Sequence, residues 1–434
     1  MKSMSIKVRD MKKFLGCLLL AAVTTAVWAQ GSTNSPYSQY GFGEMAPLGA
    51  GMNRAMNGVG FGLHRGNQVN PLNPASYASV DSLTMLFDMG VSGQVTNMNE
   101  NGNKLNARSA SFDYVLGSFR ACKNVGVTFG VLPLTNVGYK YTASNYLPEV
   151  ETTVASTNEG DGGLHELFIG AGWRIAKPLS IGVNVGYLWG GYNRYVTSSS
   201  SSAINNLSKV YSADVSNYKL SVGLQYDIPF GKEDQLTLGL TYGLGHKLKA
   251  DAECLIVSTN STISKSDTTR LVCENGLELP HTFGAGFTYT HGTKWTVGAD
   301  AELQKWGSTK FPQYTGGAYT LTSDGMKDNL RLAVGGEYCP RWNSRYLYQR
   351  IRYRLGAGYV APYYKINGQD GPCQLSVSAG FGIPIQNGYN NRSLLNISAQ
   401  WVNQSADGFI KENTFRVNIG LTFNERWFAK WKVE

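Results

Sequence analysis

An all-β fold, a transmembrane antiparallel β-barrel of about fourteen strands with an N-terminal hatch inside its lumen, is what this sequence predicts. Three observations carry that expectation. From residue 164 to 424, large apolar side chains alternate with Gly, Ser, Thr, Asn or Arg in segments that mostly run about ten residues before a turn cluster. The N-terminus reads as an export signal. Nothing after that signal offers roughly 18 continuous apolar residues, so no membrane-spanning helix is expected.

The last segment shows the alternation most cleanly. Phe415, Val417, Ile419, Leu421 and Phe423 fall on one face, and Arg416, Asn418, Gly420 and Thr422 on the other. One face suits lipid and the other water. The same period of two recurs at Leu236, Leu238, Leu240, Tyr242 and Leu244, and at Leu375, Val377, Ala379, Phe381 and Ile383. Trp295, Tyr187, Trp189, Trp401, Tyr353 and Tyr359 lie near segment ends, where an amphipathic ring can sit at headgroup level.

Lys12 and Lys13 precede an apolar run from Phe14 to Val27, and Val27-Trp28-Ala29 supplies a small-residue cleavage site before Gln30. The expected organisation is a signal peptide at 1–29, a hatch at 30–81, the barrel at 82–424 and a periplasmic tail at 425–434. Because a bilayer leaves no backbone group unpaired, an exported, membrane-bound chain without an apolar helix must close its sheet. The expected location is the outer membrane of a Gram-negative bacterium, with outer-membrane lipid around the wall.

Composition agrees. Charged residues make up 16% of the chain against roughly 25% in soluble domains, and Gly numbers 51 in 434 residues. The net charge of +9 falls to +5 once the signal's five Lys or Arg and one Asp are removed. The closest thing to a basic stripe, Arg426, Lys430 and Lys432 among Trp427, Phe428 and Trp431, suits an interfacial anchor, and no nucleic acid partner is expected.

Apolar-alternating runs lie near 82–97, 105–121, 123–142, 163–176, 179–196, 208–229, 235–257, 268–291, 294–306, 328–341, 350–366, 371–385, 392–405 and 413–424. Short connections such as Cys122-Lys123-Asn124, Lys177-Pro178, Gly292-Thr293 and Asn387-Gly388 read as periplasmic turns, and 143–162, 197–207, 258–267 and 307–327 as external loops. Gly is dense on the inward face of 239–245 and 376–382. It either leaves lumen volume for something other than strand side chains or marks bends in the sheet. The candidate filler is 30–81, rich in Gly and Asn-Pro turns yet apolar enough to bury.

Five cysteines follow the signal. Cys254 and Cys273 flank a polar turn, so a hairpin would set them opposite each other and allow a disulfide. The five histidines lack ligand spacing, so no metal is expected. No Ser, His and acidic set, nucleophile elbow or phosphate loop can be nominated, so neither a catalytic site nor a cofactor is expected, and the chain is not read as an enzyme. Lumen-side Arg331, Arg352, Arg354 and Arg416, near Glu337 and Asp300 by strand order, could hold a plug to the wall or meet an amphiphile's head group.

Gly58-Val59-Gly60-Phe61-Gly62, followed by Asn73-Pro74-Ala75 ahead of a first strand at Ser82, resembles the hatch of the FadL family of outer-membrane fatty acid and hydrocarbon transporters. The stretch from Leu421 to Phe428 is similar to the C-terminus of FadL-like proteins of Bacteroidota. The resemblance implies passive uptake of small hydrophobic or amphipathic molecules. A hatch at Gly58, Gly60, Asn70, Asn73, Pro74 and Ala75 would rearrange, and the solute would leave sideways at a kink in the third strand. Pro133, in Leu132-Pro133-Leu134, is the candidate kink because proline cannot donate to a β-ladder; a bulge near the rim is the alternative. Glu149, Glu151, Glu159 and Asp161 make the 143–162 segment unlike an apolar lid and point away from a long-chain fatty acid. A second role stands beside uptake: an accessory or docking barrel in an envelope secretion or assembly complex, with an envelope protein as partner.

Overall fold

The computed structural model describes residues 33–100, 102–147, 152–200, 205–260, 262–263, 265–385 and 393–426. The export signal, the Asn387-Gly388 turn and the tail from residue 427 lie outside them. Fourteen antiparallel strands close into a barrel. They are β1 (Thr84–Glu100), β2 (Asn103–Cys122), β3 (Val125–Leu147), β4 (Thr152–Arg174), β5 (Leu179–Ser200), β6 (Asn205–Phe230), β7 (Asp234–Gly243, resuming at Ala252–Asn260), β8 (Lys265–Cys273, resuming at Thr282–His291), β9 (Trp295–Gln304), β10 (Asn329–Tyr338), β11 (Arg352–Val360), β12 (Cys373–Ile385), β13 (Ser393–Ser405) and β14 (Lys411–Arg426). Closure runs from Thr84↔Arg426 to Asn99↔Lys411.

Alternation sets the two faces. On β14 the apolar residues Phe415, Val417 and Ile419 are exposed outward, while Asn418, Thr422 and Asn424 are buried inward. An outward apolar band of this kind is suited to lipid. No helix among the described residues is long and apolar enough to cross a membrane.

One end carries the short turns and the other is tall, and here two expectations need correction. Residues 143–147, 152–162 and 197–200 are strand, as are 205–207, so the predicted external loops 143–162 and 197–207 are mostly wall. The sequence of this upper wall is polar on both faces, as in Thr152-Thr153 and Ser198-Ser199-Ser200, so no apolar alternation marks it. Hydroxyls pair across the strands instead, as in Ser156 with Ser198 at 2.9 Å and Thr142 with Thr157 at 3.2 Å. The runs 235–257 and 268–291 are each interrupted. Residues 244–251 and 274–281 turn inward at mid-height, where His246–Leu248 pairs with Leu277–Leu279 and buries Leu248 and Leu277.

The neighbouring hairpin, Ala252–Asn260 paired with Lys265–Cys273, corrects the disulfide. Cys254 stands opposite Leu271 and Cys273 opposite Ala252, so the two cysteines are diagonal neighbours, and both thiols are free. A diagonal pair of about 7–8 Å exceeds the reach of a disulfide.

The N-terminal residues 33–80 pack against the inner wall of the barrel. They contribute the helix α1 (Gly51–Ala55), 3-10 turns at Pro36–Gln39 and Pro74–Ser79, and a two-residue strand at Glu44–Met45.

Candidate functional site

The inward glycines are filled by hatch backbone. The Pro74–Ser79 turn lies across β3 to β6, and a methyl group added at Gly182 would strike Pro74, at Gly126 the Tyr77 carbonyl and at Gly223 the Asn73 side chain. On the opposite wall, the same methyl at Gly335 or Gly356 would meet Met56. Of the two readings of lumen glycine, close approach therefore applies at these positions.

The six hatch residues singled out in the sequence form one buried network with the wall. Asn73 caps its turn by accepting from the Ala75 amide at 3.0 Å, and its Nδ2 donates to the Phe61 carbonyl at 2.8 Å and to Leu224 of β6 at 3.2 Å. Pro74 occupies the first turn position, where no amide is needed, and Ala75 is fully buried. Gly58, at φ +85°, reverses the chain after α1, its amide bonded to the Asn53 carbonyl at 2.7 Å. Asn70 Nδ2 donates at 2.7 Å to the carbonyls of both Gly60 and Leu63. The Gly60 and Phe61 amides donate to Asp300 Oδ2 of β9 at 2.6 and 2.9 Å.

Ion pairs fasten the hatch. Glu337 on β10 receives Arg352 at 2.6 Å and Arg354 at 2.7 Å from β11, together with Arg65 of the hatch at 3.1 Å. Strand order alone brings Arg352 and Arg354 to Glu337, whereas the partnership of Arg65 depends on the hatch fold and has no signal in the sequence. Arg54 meets Asp113 at 2.6 Å, both nearly excluded from solvent. A bulge makes this pair: Gly90 faces Tyr114 and Val91 faces Phe112, so Asp113 is an extra residue and both it and Tyr114 turn inward. Strict alternation hides such a pair.

The wall is incomplete beside β3. Pairing of β2 with β3 ends at Val115↔Val131, and the β3–β4 register shifts between Pro133 and Thr135. Pro133 therefore stands partway up the wall and not at the rim. Above it, hatch residues occupy the slot. Ala46 donates to the Leu134 carbonyl at 3.0 Å, Glu44 and Met45 pair with Asn136 and Thr135, and Ser38 bonds Gly138. Asn34 reaches the Arg108 carbonyl on β2 at 3.0 Å.

Behind the slot, between hatch and wall, lies a cavity of about 210 Å³, bordered by Phe42, Phe61, Leu132, Pro133, Leu164 and Trp306. Its main charged feature is the ion pair of Lys219 with Glu166 at 2.6 Å. The tall end is roofed by residues 305–328 and 361–372. Phe42 of the hatch meets Phe311 edge-on at 5.5 Å, Trp306 lies 5.0 Å from Tyr363, and Arg194 stacks 4.2 Å over Tyr192 while donating to the Gly41 carbonyl. The buried Tyr363 hydroxyl bonds the hatch backbone at Phe42 and Gly43, and burial pushes its phenol well above the ordinary range.

A sequence profile named BamG matches residues 11–434, nearly the whole length. The chain belongs to the BamG family. This BamG-family barrel shares its fold with FadL-type channels. The Pseudomonas putida toluene transporter TodX superimposes with a TM-score of 0.61 at 12% identity, covering 90% of this chain and 100% of that one. The Ralstonia pickettii toluene transporter TbuX gives 0.57 at 13%, covering 89% and 100%, and a Pseudomonas aeruginosa FadL homologue gives 0.58 at 13%, covering 88% and 98%. No curated protein sequence matches the chain.

Proposed function

We propose that this barrel lies in the outer membrane of a Gram-negative bacterium and passes small apolar molecules through its wall by hatch displacement. The short-turn end is periplasmic and the tall end external. The observation that carries the reading is the cavity bordered by Leu132, Pro133 and Leu134, with the Lys219–Glu166 pair on its wall, at the point where the β2–β3 ladder stops. Withdrawal of residues 34–46 would join cavity and bilayer without breaking a strand pair of the barrel itself. Size favours a compact solute: an apolar cavity of about 150 Å³ is enough for benzene, whereas a long acyl chain would outgrow the space. That agrees with the solutes named for TodX and TbuX.

Uptake of toluene by cells carrying the barrel tests this. Pro133→Val should let β3 straighten and slow uptake; equal rates in variant and parent would count against an exit at this point.

A second reading is favoured by the roof and by the number of bonds holding the hatch: a closed accessory barrel that docks into an envelope secretion or assembly complex. A stoichiometric protein partner retained on purification, together with no uptake, would establish it over the first.

A further inference from the structure

The connection from β10 to β11 is the exception among the described short-end turns. Residues 339–351 include the short helix α2 (Leu347–Arg350) and no acidic residue. The segment is ordered: the Arg341 amide donates to the Gln349 carbonyl at 2.8 Å, and Ser344 Oγ donates to Gln349 Oε1 at 2.6 Å. Yet it leaves large apolar groups in the open, with Trp342 59% and Tyr346 64% exposed and Leu347 and Tyr348 also outside. Arg341 and Arg345 are exposed beside them, and Lys294 of the neighbouring turn accepts the Cys339 amide on its carbonyl at 2.9 Å. The adjacent acids, Glu233 and Asp234, lie beyond that turn and face His291.

The patch continues the lipid-facing wall. Tyr353 Oη donates to the Tyr348 carbonyl at 2.9 Å, and the Tyr353 ring meets the exposed Phe381 edge-on. The Trp295 and Tyr338 rings meet at a tilt, 4.2 Å apart, on the strands alongside. A row of outward aromatics thus runs off the barrel rim into an acid-free segment with two exposed guanidiniums.

We propose that residues 339–351 are a binding surface for the headgroups of anionic glycerophospholipids in the leaflet at the short-turn end. Trp342 and Tyr346 sit among glycerol and ester groups, and Arg341 and Arg345 pair with lipid phosphates. The proposal rests on placing the barrel in a bilayer, and it is independent of whether the barrel transports.

The full chain reconstituted in phosphatidylethanolamine vesicles, with and without phosphatidylglycerol, provides the test. Spin-labelled phosphatidylglycerol should associate with the parent more strongly than spin-labelled phosphatidylcholine. The preference should fall about fivefold for each arginine replaced in Arg341→Ser and Arg345→Ser, matching about 1 kcal/mol per basic residue at a membrane surface. The emission lost on Trp342→Phe should be quenched by brominated lipid and protected from aqueous acrylamide. Equal preference in parent and double variant, with barrel circular dichroism unchanged, would overturn the lipid site. Quenching of Trp342 by acrylamide alone would do the same and would assign the patch to an aqueous protein partner. Failure of uptake with lipid selectivity intact would touch only the transport reading.

Discussion

Replacing Asp113 by Ala strands Arg54 in the lumen. The pair is 2.6 Å long with side chains 3% and 4% exposed, and removing one partner of a buried pair costs roughly 3–5 kcal/mol. Arg54 keeps hydrogen bonds to the Gly49 carbonyl at 3.1 Å and to Asn418 at 3.3 Å, which holds the loss to the lower end, about 3 kcal/mol. The cost falls on the docked hatch, because Arg54 can reach water only if α1 leaves the wall. At 1.4 kcal/mol per decade, hatch opening should become about a hundredfold more frequent. Hydrogen exchange of the Arg54 amide, which bonds the Ala50 carbonyl at 3.0 Å, reads that opening directly, and exchange of β13 and β14 amides reports the barrel. Faster exchange confined to residues 50–60 is the expected result. Arg54→Met combined with Asp113→Leu should recover most of the protection. Unchanged exchange in Asp113→Ala, or equal acceleration throughout the barrel, would refute the assignment of this pair as a hatch fastener.

Other perturbations reach the same site from different sides. Gly182→Val should push the Pro74 turn off β5 at a cost of about 1–3 kcal/mol, seen as cleavage of the hatch by added protease. Replacing Asn73-Pro74-Ala75 with Gly-Gly-Gly should raise leakage of small dyes, and unchanged leakage would reduce the motif to a turn. Alkylation of denatured, unreduced protein should label both Cys254 and Cys273, whereas an unlabelled pair would restore the disulfide.

Much of the barrel was legible because lipid imposes a period of two wherever it touches the wall. Phe415 to Phe423 reads correctly for that reason, and so do the membrane-level parts of most strands. Where no lipid touches, the signal vanishes: residues 152–162 pair as regularly as any others, but with polar residues on both faces their side chains follow no binary rule. Local backbone changes are equally silent. The bulge at Asp113 and the inward breaks after Gly243 and Cys273 depend on what lies across the lumen. The glycines announced a vacancy without naming its occupant, since Gly126 and Gly182 are explained only by Tyr77 and Pro74. Glu337 and its two strand arginines were found from order along the chain, and the hatch arginine that completes the cluster comes from a segment with no periodicity. Pro133 marked an irregular ladder, and only the pairing showed that the hatch strand at Glu44–Met45 takes the missing place.

The central claim is that residues 34–46 close a gap in the wall that must open for passage. Glu44 and Asn136 face each other across that seam, so Glu44→Cys with Asn136→Cys should cross-link under oxidation in intact cells. Locked, the barrel should take up no toluene, and reduction should restore the parent rate. Uptake at the parent rate with the cross-link complete would contradict the account.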